Sequence, residues 1–295
     1  MELPLKKPEW LKVPIPHGTE FQEMNKLIKA YGLYTVCTEA RCPNKSECWN
    51  CGTATFMVLG DICTRNCRFC AVATHKTGRP VNPDEPAALA EAVKKLQLSY
   101  AVITSVDRDD ISDRGAGHFA ACIRAIHEQS PKTKIEVLVP DYFGAELEVI
   151  LKEKPDVIAH NIETVPSLQH IRDRRASLEK SLRTLRETKE KTSIATKSSI
   201  MLGLGETLEE IHQSMDLLRA IGCDILILGQ YLQPTKQQIA VKQYYSPEEF
   251  AQLAELAVNK GFRSVVSAPL ARTSYHAKQS FPEQLQVKDN YNYGK

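Results

Sequence analysis

Residues 53–72 read TATFMVLGDICTRNCRFCAV. The first seven are β-branched and apolar, the composition of a strand. The remainder places Cys63, Cys67 and Cys70 in a C-x3-C-x2-C spacing directly behind that strand. Tetrahedral metal and iron–sulfur sites usually take four protein ligands. Three thiols therefore leave one position for something else. A thiol loop at the C-terminal end of a first strand fits a parallel α/β protein, where ligands gather at that end of the sheet.

The chain beyond this point supports that architecture. Strand-like segments at 100–106 (YAVITSV), 134–139 (KIEVLV), 157–163 (VIAHNIE), 196–202, 224–229 (DILILG) and 263–267 alternate with helix-like ones. Leu89, Val93 and Leu96 recur at helical spacing behind Asp84 and Pro86, as do Phe119, Cys122, Ile123 and Ile126. Further helices are expected at 144–152, 177–190, 208–218 and 247–259. About six βα units result, enough to curl into a partial (β/α)6 TIM-like barrel or to open into a doubly wound sheet. No G-x-G-x-x-G follows the first strand, which weakens the dinucleotide-binding form of that sheet. Polar residues at strand ends are then site candidates: Thr104 and Ser105, Asn161 and Glu163, Gly203, Gly205 and Glu206, Gln230 and Tyr231. The two glycines also suit plain turns.

The 295 residues can bury a large core. A net charge of +2 gives no electrostatic pull toward nucleic acid or membrane. No run of about 18 apolar residues could span a bilayer. The opening MELPLKKPEWLKVPIPHG has no apolar core and no Arg/Ser-rich amphipathic stretch, so a cytoplasmic location is expected. Of nine cysteines, seven lie between 37 and 70. Such local density in a long chain without an export signal points to metal rather than to disulfides.

Two groupings of those seven compete. Cys48-x2-Cys51 with Cys67-x2-Cys70 matches a four-cysteine zinc site and leaves Cys37, Cys42 and Cys63 without a task. Alternatively, Cys63, Cys67 and Cys70 form one triad and Cys37, Cys42 and Cys48 another, each holding a 4Fe–4S cluster, with Cys51 spare. A two-cluster ferredoxin would complete each cluster with a fourth cysteine and needs no barrel.

The stretches TVCTEARCPNKSECW, GTATFMVLGDICTRNCRFCAV, TSVDRDD, HNIETV, KSSIMLGLGE, LGQYLQPT and ARTSYHA, in this order from about Thr35 to Ala277, resemble the lipoyl synthase family. Phe69 in CRFC also resembles the signature of the wider radical S-adenosylmethionine superfamily. The resemblance implies an enzyme that inserts two sulfur atoms, at C6 and C8, into an octanoyl chain carried on a protein lysine. Saturated carbons offer no acid, base or nucleophile a foothold, so a radical cofactor is required. S-adenosylmethionine would occupy the open iron of the Cys63–Cys67–Cys70 cluster and be cleaved to methionine and a 5′-deoxyadenosyl radical. The Cys37–Cys42–Cys48 cluster would supply the sulfur, its fourth iron held by Ser274 of Arg272-Thr273-Ser274-Tyr275. A neutral hydroxyl is a poor partner for soft iron, so that bond should break readily.

By the same resemblance Thr104 and Ser105 approach the amino group of S-adenosylmethionine, and Asn161 and Glu163 its ribose. Gln230 and Tyr231 lie where the adenosyl or acyl chain passes. The implied partners are octanoylated lipoyl carrier domains, namely the 2-oxoacid dehydrogenase E2 subunit and the glycine cleavage H protein, with ferredoxin or flavodoxin as electron donor. The implied organisation is a cluster-binding extension at 1–52, the barrel at 53–267 and a tail at 268–295.

This chain departs from the family pattern in places. Thr273 stands where the family usually has serine, so both hydroxyls are candidates for the oxygen ligand. Cys51 is unexpected and reads as a buried small residue. IRDRRASLEKSL is altered near 173–177, which undercuts a binding role for Arg174 or Arg175. Residues 172–191 hold eight Lys/Arg against four Asp/Glu, a solvated helix face or a docking face for an acidic carrier domain.

Overall fold

The computed structural model describes residues 5–13, 18–50, 53–275 and 277–281. Cys51 and most of the C-terminal tail lie outside the described residues.

The N-terminal segment holds α1 (Thr19–Ala30), β1 (Tyr34–Thr35), α2 (Val36–Glu39) and α3 (Lys45–Asn50). The sequence suggested irregular chain here. Local capping explains α2, where the Thr35 hydroxyl accepts from the Thr38 N–H. Then come β2 (Thr55–Val58), β3 (Ile62–Cys63) and β4 (Ala73–Thr74). The βα series follows as α4 (Glu85–Lys95), β5 (Tyr100–Ser105), α5 (Ala116–Gln129), β6 (Lys134–Leu138), α6 (Ala145–Lys152) and β7 (Val157–Ala159). It continues with α7 (Leu178–Lys191), β8 (Ala195–Leu202), α8 (Leu208–Ala220), β9 (Ile225–Gln230), α9 (Pro247–Asn259), β10 (Ser264–Ala268) and α10 (Ala277–Ser280).

The main sheet runs β1-β2-β5-β6-β7-β8-β9-β10. Every pairing is parallel except β1 with β2. Its two edges do not pair, so the six βα units and the closing strand form a partial barrel rather than a closed one. Helix starts follow ordinary rules. Thr207 with Glu210 and Ser246 with Glu249 form capping boxes, and Pro247 opens α9.

Strand residues alternate between two cores, as a period of two requires. Leu226 and Leu228 face outward onto Ile211, Met215 and Phe250. Ile225 and Ile227 face the barrel interior with Tyr100, Val102 and Val266. Residues of the N-terminal segment, among them Met24, Ile28 and Trp49, share one core with β2, α4 and α5.

The interior also holds charge. Lys197 Nζ on β8 lies 2.9 Å from both Glu136 oxygens on β6, and the Tyr100 hydroxyl donates to Glu136 Oε2 at 2.7 Å. Both charged side chains are fully buried.

Beyond β10 the chain returns toward the N-terminal segment. Asn44 Nδ2 donates to the Leu270 carbonyl at 2.7 Å and the Tyr275 hydroxyl to Glu47 Oε1 at 2.8 Å. Gly229 permits this passage, because a Cβ there would meet the Ala271 carbonyl oxygen at 2.1 Å. Among the described residues, no helix is long and apolar enough to cross a membrane.

Candidate functional site

The C-x3-C-x2-C loop is closed at its base by a short ladder. β3 pairs with β4, and the His75 N–H donates to the Cys63 carbonyl at 3.0 Å. Arg65, 6% exposed, anchors the loop to three carboxylates. It meets Asp141 at 2.8 Å, Asp109 at 2.9 Å and Asp107 at 3.3 Å. Thr64 donates to Asp109 Oδ2 at 2.9 Å. The loop is also clipped from above by residues after β9, since Gln238 Nε2 donates to the Cys70 carbonyl at 3.1 Å. The Cys63 and Cys67 thiols are pushed up to about 12 by burial, and burial also raises Cys70. Metal binding takes thiolates, so loading this loop releases protons that burial otherwise retains.

The second triad is built from α2, α3 and the returning tail. Cys37, Cys42 and Cys48 line a small recess with Arg272 and Ser274. Burial and the neighbouring Cys37 raise the Cys42 thiol. Burial lowers Arg272, against the pull of Cys42. Cys37, Cys42 and Ser274 also face a cleft of about 530 Å³, and Cys63, Cys67 and Cys70 line the same cleft.

The strand-end candidates behave differently from one another. Thr104 donates to the Leu138 carbonyl at 2.9 Å, whereas the buried Ser105 hydroxyl has no partner among the described residues. Sequence reading runs the strand from Val157 on to Glu163, but β7 stops at Ala159. After the regular ladder ends at Ala159, Glu163 meets β8 again as an isolated bridge with Ile200; its φ of 68° is left-handed, and it lines the cleft. Burial raises the Glu163 carboxyl, and Asn161 Nδ2 donates to it at 3.2 Å. Asn161 Oδ1 in turn accepts from the Thr273 hydroxyl at 3.2 Å.

Gln230 and Tyr231 line the cleft, but their polar atoms are committed to backbone. Gln230 Nε2 donates to the carbonyls of Leu202, Tyr231 and Gln243, and its oxygen accepts from the Tyr245 N–H. The Tyr231 hydroxyl donates to the Ile239 carbonyl at 2.8 Å. Gly203 makes room for that amide, since a Cβ would meet Gln230 Nε2 at 2.1 Å, and its φ is +97°. Glu206 accepts from the Gly203 and Leu204 N–H groups and closes the turn.

Sequence reading gave no role to Arg65, Asp107, Asp141, His160 or Arg172, all of which line the cleft. Arg65, Asp107 and His160 were within reach in the quoted CTRNC, TSVDRDD and HNIETV stretches; Asp141 lies in none of the quoted stretches, and Arg172 lies in the altered IRDRRASLEKSL. Burial pushes Asp107 up to about 6, with Arg65 opposing. Asp141 Oδ2 is buried without a partner among the described residues.

Burial, then Arg172, pushes His160 down to about 4 from 6.5. It lies 2.9 Å from both the Val139 carbonyl and the Ser181 hydroxyl. A histidine depressed in the fold stabilises it above pH 6.5 and loses that contribution as pH falls toward 4. We expect the unfolding free energy from urea titrations to fall across pH 6.5 to 4.5, by a few kcal/mol at most. His160→Gln should flatten that slope, and an unchanged slope would refute the assignment.

The donor chemistry fits iron–sulfur clusters. A tetrahedral zinc ion draws its sulfurs to about 3.8 Å of one another, from Zn–S bonds of about 2.3 Å. Among the described residues the group with three such donors within 4.8 Å is Glu85, His118 and Cys122, not either cysteine triad. That group joins the end of β2 to α4 and α5, since Glu85 Oε2 takes the Leu59 N–H and lies 2.7 Å from His118 Nε2. Soft thiolates set wider than a single ion requires suit a larger group. The partnerless Ser105 and Asp141 oxygens beside the first triad suit a polar ligand.

Comparison with known proteins agrees. Residues 57–218 match the radical SAM superfamily, and residues 2–42 match the N-terminal domain of lipoyl synthase of the radical SAM family. A lipoyl synthase of Chlorobaculum parvum is 48% identical, covering 95% of this chain and 96% of its own. One of Symbiobacterium thermophilum is 51% identical over 93% of this chain and 86% of its own. The crystal structure of methylornithine synthase (PylB) superposes with a TM-score of 0.57 at 14% identity, covering 70% of this chain and 62% of that one, a likeness of fold.

Proposed function

The chain belongs to the lipoyl synthase family of the radical S-adenosylmethionine superfamily, and from that premise we propose how its residues divide the work. The reaction is insertion of two sulfur atoms at C6 and C8 of a protein-bound octanoyl-lysine. The observation that carries the reading is the single cleft onto which both cysteine groups open. A chain bound between them is reachable from both sides.

Cys63, Cys67 and Cys70 would hold one 4Fe–4S cluster and, as three ligands rather than four, would leave room on it for S-adenosylmethionine. Cys37, Cys42 and Cys48, with Ser274, hold the second. When bound, the first cluster and S-adenosylmethionine supply a radical able to take hydrogen from saturated carbon, and the second cluster supplies sulfur.

The remaining roles belong to this chain's own groups. Ser105 and Asp141 present unfilled oxygens to a bound amino group or hydroxyls. Asn161 and Glu163 face the ribose, held by the Thr273 hydroxyl from behind. Thr273 is thereby engaged with Asn161, which favours Ser274 as the oxygen ligand. Gln230 and Tyr231 act as wall rather than as ligands, because their polar atoms already serve the backbone. Arg65 holds the loop that carries the first three thiols.

Residues 1–52 are the extension that carries the second cluster's cysteines, 53–267 the barrel, and 268–295 the tail that returns Ser274. The substrates are octanoylated lipoyl carriers, for which we take the 2-oxoacid dehydrogenase E2 subunit and the glycine cleavage H protein, with ferredoxin or flavodoxin as reductant, in the cytoplasm. Of the basic residues at 172–191, Arg183, Lys189 and Lys191 pair with Glu187, Asp224 and Glu148 on this same chain, which supports a solvated face over a docking one.

Anaerobic analysis of the reconstituted protein tests the cluster assignment. We expect about eight irons and eight acid-labile sulfides per chain from two such clusters. One zinc with no iron would refute it.

A further inference from the structure

The altered stretch near residue 173 packs onto the cluster loop. The Asp173 N–H donates to Cys67 Sγ at 3.3 Å. Its carboxylate accepts from the Asn66 N–H at 3.0 Å, and from Arg175 through N–H at 3.0 Å and Nε at 2.8 Å. Arg175 reaches on to Asp109 at 3.3 Å and to the Thr64 carbonyl. Asp109 is also the partner of Arg65 and Thr64. The chain of contacts thus runs from one thiol, through two charged side chains, to the carboxylate that anchors the rest of the loop. The Asp173 side chain is 10% exposed, and its carboxyl is held well below the usual range by Arg175.

We propose that Asp173 and Arg175 are positioning residues that set the reduction potential of the cluster on Cys63, Cys67 and Cys70, by aiming the Asp173 N–H at Cys67 Sγ and balancing one charge against the other beside it. The inference rests on those three cysteines being the ligands. Hydrogen bonds to ligand sulfur and nearby net charge are two of the levers by which proteins tune such clusters. An N–H on sulfur and a cation nearby both favour the reduced cluster, and a carboxylate opposes it. Arg175 also fastens Asp173 in place, so the two effects share one geometry.

The test is an EPR-monitored redox titration of the reconstituted holoenzyme, following the cluster signal that changes when S-adenosylmethionine is added. Arg175→Ala leaves the carboxylate uncompensated and should move the midpoint to more negative potential. Asp173→Asn keeps the N–H, removes the negative charge and should move it to more positive potential. Arg175→Lys should restore most of the parent value. Arg183→Ala, from the same basic stretch but paired with Glu187, is the control. Opposite shifts outside the control's range support the proposal, since loss of folding cannot produce opposite signs. No shift beyond the control, or shifts of one sign, overturns it. A parent protein whose cluster signal ignores S-adenosylmethionine overturns the functional reading as well. The two failures are therefore distinguishable.

Discussion

Alanine at Cys63, Cys67 or Cys70 is expected to reduce cleavage of S-adenosylmethionine to the background rate. Each of these thiols lines the cleft on a loop held by Arg65 and closed by β3 and β4. With only two thiols left, the cluster loses a ligand and the open iron is no longer unique. Alanine at Cys37, Cys42 or Cys48 should act differently. These residues line a separate recess with Arg272 and Ser274, and none belongs to the loop of the first triad. Such variants should still cleave S-adenosylmethionine yet yield no sulfur-bearing product. Quantifying 5′-deoxyadenosine and product in the same reaction separates the two sets. If the second set lost cleavage while keeping the first cluster, the division of roles would be wrong.

Lys197→Met should cost about 3–5 kcal/mol of stability, the usual result of stripping one partner from a buried pair. Lys197 and Glu136 are both fully buried in the barrel interior, and Glu136 also accepts from Tyr100. Removing the ammonium leaves a fully buried carboxylate whose remaining hydrogen-bond partner among the described residues is the Tyr100 hydroxyl. The double variant Lys197→Met with Glu136→Gln should recover most of the loss, because glutamine is neutral and still accepts from the Tyr100 hydroxyl. Urea unfolding midpoints provide the measurement. A double variant no more stable than the single one would show that the charge is not the cause.

Much of the barrel was legible because its signals are local. Alternating apolar strands and helix stripes placed the six βα units, and the Asp84 and Pro86 start signal marked the beginning of α4 at Glu85. The strand after Asp156 was overextended because Ile162 continues the apolar run of Val157–Ala159; the lapse in pairing before the Glu163–Ile200 bridge and the positive φ of Glu163 leave no mark on spacing. Of the N-terminal helices, α2 and α3 are too short to show a stripe, whereas α1 carries one in Phe21, Met24 and Ile28 that sequence reading passed over.

The cysteine groups were legible as groups, from spacing. Their meeting in one cleft was not, since it depends on a tail more than 200 residues from Cys37 returning to meet α3. Arg65 was quoted within its motif, but its three carboxylate partners come from segments 42 to 76 residues away and converge only in the fold. Asp173 and Arg175 read as a disruption of the family pattern. The structure instead makes them part of the loop's support.

The central claim is that this cleft converts an octanoyl-lysyl chain to a lipoyl one. Mass spectrometry of an octanoyl-lysyl peptide incubated anaerobically with reconstituted protein, reductant and S-adenosylmethionine tests it most directly. The account predicts a product that has gained two sulfur atoms at the octanoyl group, with 5′-deoxyadenosine formed alongside. An unmodified peptide, from protein that carries both clusters and cleaves S-adenosylmethionine, would contradict it.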